Sequence, residues 1–387
     1  MWQPVLVAQI AIIGGGIGGL TAAIALRQVG FQPEIFEQAP ALLDVGAAIA
    51  IWPNAMRVLE ALHLAEKILE KAGVMKKIEW RDQDGFLINR VSIAKTAVAL
   101  HRADLQGTLL NSLPEESIHL DHAFVSYKQQ VDKIIATFAD GNSVEADFLI
   151  GADGIHSDVR LQFINDGDPV YRGYTVWRGI SPHVPNQIPS ATAIELHGLG
   201  KRFGIGPVGL ARLGWWATAN MDTDDLSSIF AEWWRPVLEL IEATPKKSIL
   251  KTTALDRDPI KTWGNGRMTL LGDAIHPTTP NLGQGGCLAI EDALVLAKCF
   301  ENFAAGEAAL RGYERCRYER TAAVTRYSRY YGAVGQWENF WARGLRKTAL
   351  SLVPESIARR LMQIVFDYDA TNNTICGNIS HHASHSS

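Results

Sequence analysis

The sequence predicts an α/β protein of two closely packed lobes: a discontinuous lobe on a parallel sheet, an antiparallel sheet inserted into it, and helices at the C-terminal end. Three patterns predict this. From Val7 to Phe36, an apolar β-branched run, a glycine cluster, an Ala/Leu-rich run and a second apolar run read as strand, turn, helix and strand. Alternating runs at residues 192–196, 203–207 and 214–219, punctuated by Ser, Asp and Pro, read as an antiparallel sheet. From Gln284 the apolar spacing becomes helical almost to the end, with Pro354 opening a last segment and a polar tail, 372–387, read as disordered.

At 387 residues the chain exceeds the usual single-core limit, hence two lobes. With 47% hydrophobic and 20% charged residues it is an ordinary globular chain with material for a sizeable core. A net charge of −4 offers no general attraction to phosphate backbones, so nucleic acid is not an expected partner. The four cysteines, Cys287, Cys299, Cys316 and Cys376, lack CxxC spacing and fit a reduced, cytoplasmic setting. The apolar N-terminus has no cationic leader and runs straight into a glycine loop, so it reads as a first strand. No apolar run reaches the roughly 18 residues a membrane span needs. No metal-ligand constellation is visible; His381, His382 and His385 cluster in the polar tail.

Gly14, Gly16 and Gly19 form GxGxxG between the first strand and the first helix, with Ile17 and Gly18 inside the motif and Glu37 ending the next strand. In that setting Gly14 permits a tight turn, Gly16 lets backbone N–H groups approach a pyrophosphate, and Gly19 lets helix and strand touch. Glu37 is placed to accept from ribose hydroxyls. A second GxGxxG, Gly204–Gly206–Gly209, contains Pro207 and is followed by another β-like run, so it reads as a hairpin. The first motif alone leaves an NAD dehydrogenase and a flavoprotein equally open.

Two later segments separate them. FLIGADGIHSDVR (148–160) carries Asp153 and Gly154, and GRMTLLGDAIHPTTPNLGQGGCLAIEDA (266–293) carries Gly272, Asp273, Pro280, Gly283, Gly285 and Gly286. In the second, 268–271 reads as a buried strand, Asp273 offers an acceptor at its end, and 280–286 opens a helix. Both resemble the fingerprints of the group A flavoprotein monooxygenases, as does HRADLQGTLL (101–110) with Arg102 and Gln106. The resemblance spans residues 8–330. Within it, GAAIAIWPNAM (46–56) and GKRFGIGPV (200–208) look like FAD-dependent urate hydroxylases, and TTPNLGQGGC like zeaxanthin epoxidases.

The resemblance implies a Rossmann-like FAD-binding domain of the GR2, para-hydroxybenzoate-hydroxylase-like type. It would comprise 1–75, 101–172 and 264–332, with the substrate sheet at 76–100 and 173–263 and a helical cap at 333–371. It implies non-covalent FAD, NADH or NADPH as reductant and O2 as oxidant. One oxygen atom would reach an electron-rich aromatic or heteroaromatic substrate through a flavin C4a-hydroperoxide. Asp273 would hold the ribityl chain, Arg102 and Gln106 would lie near ribityl and phosphate, and Arg202 would match a catalytic arginine. Trp215 and Trp216 stand where the urate enzymes have a substrate-contacting tyrosine, which argues against urate. The WxWxIP signature of tryptophan halogenases is absent, which argues against halogenation. Such oxygen transfer demands an apolar, dry chamber, for which Trp177, Phe203, Trp215, Trp216 and Pro280 are the candidate walls. Epoxidation of an isoprenoid or carotenoid-like alkene, and flavin binding without oxygenation, are the alternatives.

His276, beside the Gly-Asp motif, is expected to cap a corner. In the C-terminal segment Trp337, Phe340, Trp341, Leu345 and Leu350 recur at near-helical spacing. The expectation is that this stripe packs on the body, leaves its arginines in water and does not hold the protein on membranes. A monomer or homodimer is expected.

Overall fold

The computed structural model describes residues 8–42, 47–303 and 306–372. The tail reading thus falls, apart from Asn372, outside the described residues. A five-stranded parallel sheet runs in the order Met268–Leu270, Phe148–Gly151, Ile10–Ile13, Glu34–Phe36, Ile118–His119. Ile10–Ile13 and Phe148–Gly151 are buried at every position, as strands covered on both faces must be. Helices Ile17–Gln28 and Gly285–Asn302 cross where Gly18 lies: a Cβ there would approach Leu271 to 2.8 Å and Ala289 to 3.3 Å. A small antiparallel meander, Phe124–Gln129, Ile134–Phe138 and Ser143–Ala146, flanks this lobe.

The second sheet has eight strands in the order Leu250–Asp256, Val170–Ser181, Arg212–Ala219, Lys201–Val208, Thr192–His197, Gly73–Asp82, Leu87–His101, Ala48–Ile51. The glycine-rich segment 204–209 is indeed half of a hairpin, pairing Lys201–Val208 with Arg212–Ala219. The sheet departs from the antiparallel expectation at one seam, where Thr192–His197 runs parallel to Gly73–Asp82. Two separate hairpin systems, from 48–101 and from 170–256, meet there, and no tight turn dictates their relative direction.

Strand alternation gives this sheet two different faces. On the outer face Trp177, Phe203, Ile205 and Trp215 form a core with Phe230, Trp233 and the helix Arg235–Ala243. On the inner face, toward the parallel-sheet lobe, lie Arg178, Glu195, Arg202, Gly204 and Trp216.

Helix Glu307–Gly335 spans the back of the molecule and is followed by Phe340–Leu352 and Glu355–Phe366. The packing expected for this end, apolar stripe inward and arginines in water, is overturned. Trp341 is 81% exposed and Leu345 66%, whereas Arg346 is 5% exposed. The cause is a debt of carbonyls at the end of the long helix. Arg346 donates to the carbonyls of Val334 (2.9 Å) and Gly335 (2.7 Å), and to that of Gly198 at 2.7 Å, so the polar side of the next helix turns inward.

A buried ionic cluster ties the two main helices together. Arg317 donates to Asp292 Oδ1 and Glu291 Oε2, both at 2.6 Å, with all three side chains at 0% exposure. Asn54 and Arg320 also donate to Glu291. Arg317→Met leaves two buried carboxylates short of their cation and is expected to destabilise the fold by about 3–5 kcal/mol. A thermal or urea melt checks this; an unchanged midpoint would show that the cluster contributes nothing net.

Candidate functional site

The first glycine turn is shaped by close contacts. Gly14 sits at φ +109°, and a Cβ there would lie 2.5 Å from the Ala152 carbonyl; one on Gly19 would lie 2.0 Å from the Gly14 carbonyl. A Cβ on Gly16, by contrast, would meet nothing within 4 Å, so open space stands where the turn presents its backbone. Ile17 and Gly18 begin the helix, with Ile17 buried in the core. Glu37 Oε2 accepts from Gly15 N at 2.7 Å and Oε1 from Ala39 N at 3.0 Å, so this carboxylate braces the turn it borders. Gln106, on helix Arg102–Leu110, donates to the Gly15 carbonyl at 3.1 Å. Across the turn, Asp153 Oδ2 accepts from Val159 N at 3.1 Å, its Oδ1 is buried without a partner, and Gly154 at φ +84° faces open space.

The second cluster is the corner after Met268–Leu270. Gly272 adopts φ +64°, and its N–H donates to Asp292 Oδ2 at 3.1 Å. His276 Nε2 lies 2.5 Å from the same oxygen. Burial alone would raise the Asp292 carboxyl, but His276 and Arg317 overcome it and hold it at about 2. His276 therefore ties the corner to the helix. Asp273, the next residue, has no hydrogen-bond partner in protein among the described residues and is open to water within the cleft. The surrounding protein still raises its carboxyl above the ordinary range, against the charges of His276 and Arg102. Arg102 is exposed and meets no carboxylate at ion-pair distance among the described residues. An acceptor and a cation thus stand uncommitted in one cleft, beside a glycine turn that opens on empty space. That set suits the ribityl hydroxyls and phosphates of a flavin dinucleotide.

Pro280 starts a short 3-10 turn, Gly283 at φ +59° reverses the chain, and Gly285 and Gly286 enter the helix Gly285–Asn302. A Cβ on Gly286 would lie 2.9 Å from Ile49, and one on Gly283 would lie 3.1 Å from Trp52 Nε1. The turn therefore lies against the edge strand Ala48–Ile51. A Cβ on Gly214, from the inner face of the large sheet, would lie 2.5 Å from Ala48. Arg178, Ile180, Gly206, Trp216 and Ala48–Ala50 are only half-buried in this otherwise buried region, and a Cβ on Gly206 would meet nothing within 4 Å. These residues leave partly exposed surface, with room beside Gly206, between sheet and turn.

Of the candidate chamber walls, Trp216 stands on this face, its indole over Gly204 and 5.3 Å from the Arg202 guanidinium. Trp177, Phe203 and Trp215 do not. They belong to the core on the opposite face, where Trp215 Nε1 donates to Thr244 Oγ1 at 2.9 Å. A one-residue step along a strand reverses the direction of the side chain, so adjacent aromatics cannot share one chamber.

Arg202 is on the inner face but at 0% exposure. It is neither a solvated edge residue nor an open wall of the chamber. Its Nε donates to Gln336 Oε1 at 3.1 Å, its Nη1 to Glu195 Oε1 at 3.1 Å, and its Nη2 makes a short bond to Asn281 Oδ1. Asn281 also donates to Tyr174 Oη at 2.8 Å. Tyr331 Oη donates to Glu195 Oε2 at 2.6 Å, and Trp80 donates to Tyr331 at 3.0 Å. Burial raises the Glu195 carboxyl, and Arg202 offsets part of that rise. Gly332 and Gly335, inside a helix, lack side chains because Asn281 and Arg202 pass there: Cβ atoms would lie at 2.4 and 2.6 Å. Sequence reasoning missed Asn281, Glu195 and Tyr331. It also missed Glu291 and Asp292, although two adjacent acids within an apolar helix are a readable sign of a buried partner.

Comparison with known proteins gives a consistent picture. A family described as an FAD binding domain matches residues 7–169 and 234–329. The chain is 37% identical over 360 residues to the aurachin C monooxygenase/isomerase of Stigmatella aurantiaca, covering 89% of this chain and 94% of that protein. It is 33% identical over 328 residues to the FAD-dependent urate hydroxylase of Klebsiella pneumoniae, covering 80% and 85%. The structure of Klebsiella pneumoniae HpxO complexed with FAD and uric acid matches with a TM-score of 0.86 at 28% identity, over 93% of this chain and 96% of that one.

Two outcomes test the geometry. Asp273→Ala removes a charge-assisted acceptor and is expected to weaken FAD binding by about 1.5–3 kcal/mol in a fluorescence titration. Unchanged affinity would take Asp273 out of the site. Arg202→Ala leaves Glu195 buried and unpaired, so a loss of roughly 3–5 kcal/mol in stability is expected. Adding Glu195→Gln should recover much of that stability without restoring turnover, because Asn281 Oδ1 still lacks the guanidinium that orients it. Full turnover in the double variant would reduce Arg202 to a scaffold residue.

Proposed function

This chain belongs to the FAD-dependent aromatic monooxygenases, and from that premise we propose that it hydroxylates a small, electron-rich aromatic or heteroaromatic acid or phenol, with NAD(P)H as reductant. The observation that carries the substrate class is Arg178. It projects from the inner face of the sheet beside Trp216 and is half-buried. Its recorded partner is the neutral Thr252 Oγ1 at 3.0 Å, with no carboxylate at ion-pair distance among the described residues. Burial, and after it the charge of Arg102, pulls its pKa below the usual guanidinium value. An enclosed cation without a counter-charge is costly, and an anionic ligand relieves that cost.

The glycine turn 14–19, Glu37, Arg102, Gln106, Asp153, Gly154 and Asp273 would hold FAD, with the 280–286 turn carrying backbone amides toward it. Bound there, FAD supplies the redox chemistry that oxygen activation requires. The remaining tasks fall to the chain. Trp216, Ile180 and the Ala48–Ala50 edge exclude water, Arg178 orients an acidic substrate, and Arg202 keeps Asn281 and its turn in place against the chamber. The 204–209 segment, being part of a hairpin, supplies no second dinucleotide turn for the nicotinamide. We place the reaction in the cytoplasm. Among the described residues no helix is long and apolar enough to cross a membrane.

A panel of aromatic acids and matched neutral phenols, scored by stimulated NAD(P)H consumption and by oxygen incorporation from labelled O2, tests the reading. With the best acid, Arg178→Gln is expected to raise KM by about 1.5–3 kcal/mol, roughly ten- to a hundredfold, with FAD affinity unchanged. For a neutral phenol KM should stay put. Equal loss for acids and neutral phenols would remove Arg178 as the anion anchor.

A further inference from the structure

We propose that a cavity between the helix Phe340–Leu352 and the turn that ends Gly73–Asp82 binds a small oxyanion, a carboxylate or a phosphate, at a site separate from both the FAD cleft and the substrate chamber. The cavity measures about 130 Å³. A single water needs roughly 10–15 Å³ by the same kind of measure, so the space takes a larger group. Its floor belongs to the inner face of the large sheet, where His197 stands opposite Arg202 on one side and Asp82 on the other. The buried Arg202 network separates it from the space beside Gly206.

The first observation that points to a ligand is His197, which is 5% exposed and lines the cavity. Neither of its ring nitrogens has a hydrogen-bond partner; Nε2 lies 3.5 Å from Glu195 Oε1. Burial, and after it the charges of Arg346 and Arg202, pulls the imidazole well below its ordinary range. The ring is therefore neutral and has one N–H to give. A buried donor left without an acceptor is costly, and the cavity is the open space from which an acceptor can reach it.

The second is charge. Arg343 and Arg346 both line the cavity, and neither meets a carboxylate at ion-pair distance among the described residues. Arg346 commits Nη1 and Nη2 to backbone carbonyls and leaves Nε free. Arg343 donates from Nη1 to the neutral Gln83 Oε1 at 3.2 Å. The acids of the wall do not answer these two cations. Asp82 is taken by Lys347 at 2.7 Å and by the N–H groups of Asp84 and Phe86, and Asp84 is exposed to water. Two guanidiniums without counter-charge beside an unmet N–H select an anion over a cation, and their forked N–H groups fit the paired oxygens of a carboxylate or a phosphate.

The test titrates the FAD-loaded full chain calorimetrically with sodium phosphate and, separately, with sodium malonate, each against sodium chloride at equal ionic strength. Saturable one-to-one binding of at least one oxyanion is expected, and the two arms decide between phosphate and carboxylate. Arg343→Gln should weaken that binding about ten- to a hundredfold. His197→Phe costs the fold no hydrogen bond and should weaken it about two- to tenfold. Both variants should keep the wild-type FAD content. Arg178→Gln should leave the binding unchanged, since it removes only the anchor in the chamber. No binding of either ion beyond the chloride control overturns the proposal, as does wild-type affinity in Arg343→Gln or in His197→Phe. Loss of binding in Arg178→Gln overturns it too, because the anion would then sit in the chamber.

Discussion

The structure depends first on the buried contact of Asp292 with Arg317 and with the Gly272 N–H. Three successive parts of the chain meet at that carboxylate: the corner after Met268–Leu270, the helix Gly285–Asn302 and the long helix Glu307–Gly335. Each partner satisfies a group that burial would otherwise penalise. The guanidinium neutralises two acids, and the carboxylate caps a backbone N–H held at positive φ. Because Gly272 is pinned, Asp273 is delivered to the cleft with its carboxylate free. A structural network on one residue thereby leaves its neighbour available for ligand.

The same division of labour recurs on the sheet. Arg202 spends its guanidinium on Gln336, Glu195 and Asn281 and has no surface left for solvent. Arg178, two strands away across Arg212–Ala219 and two residues along, meets no carboxylate at ion-pair distance among the described residues. Two arginines on one face thus differ in role through their neighbours, one surrounded by acceptors and the other by Trp216 and a threonine. The resemblance pointed to Arg202 as a catalytic residue; the structure buries its guanidinium against Gln336, Glu195 and Asn281.

Much of the fold was legible in the chain. The strand–turn–helix–strand opening, the 204–209 hairpin and the Gly-Asp corner all follow from local chemistry: β-branched runs, glycines at positive φ, and proline where an N–H is not needed. The fold class was legible too, because parallel strands buried on both faces advertise themselves as continuous apolar runs. The single parallel seam in the large sheet was not legible, since it joins segments about a hundred residues apart in sequence and no local turn encodes their direction.

By itself the sequence determined the strand, glycine turn, helix and strand that open the chain and the acid beside the turn, because β-branched runs, glycines and helix formers act locally. Only the tertiary structure decided which aromatics face the chamber: Trp215 and Trp216 are equivalent in composition, and the pairing register alone sends one outward and the other in. Only it decided that Arg346 is buried and Trp341 exposed, for amphipathicity marks two sides of a helix without saying which one the body will take. There the unpaired carbonyls of Val334 and Gly335, at the end of a different helix, outweighed the apolar stripe.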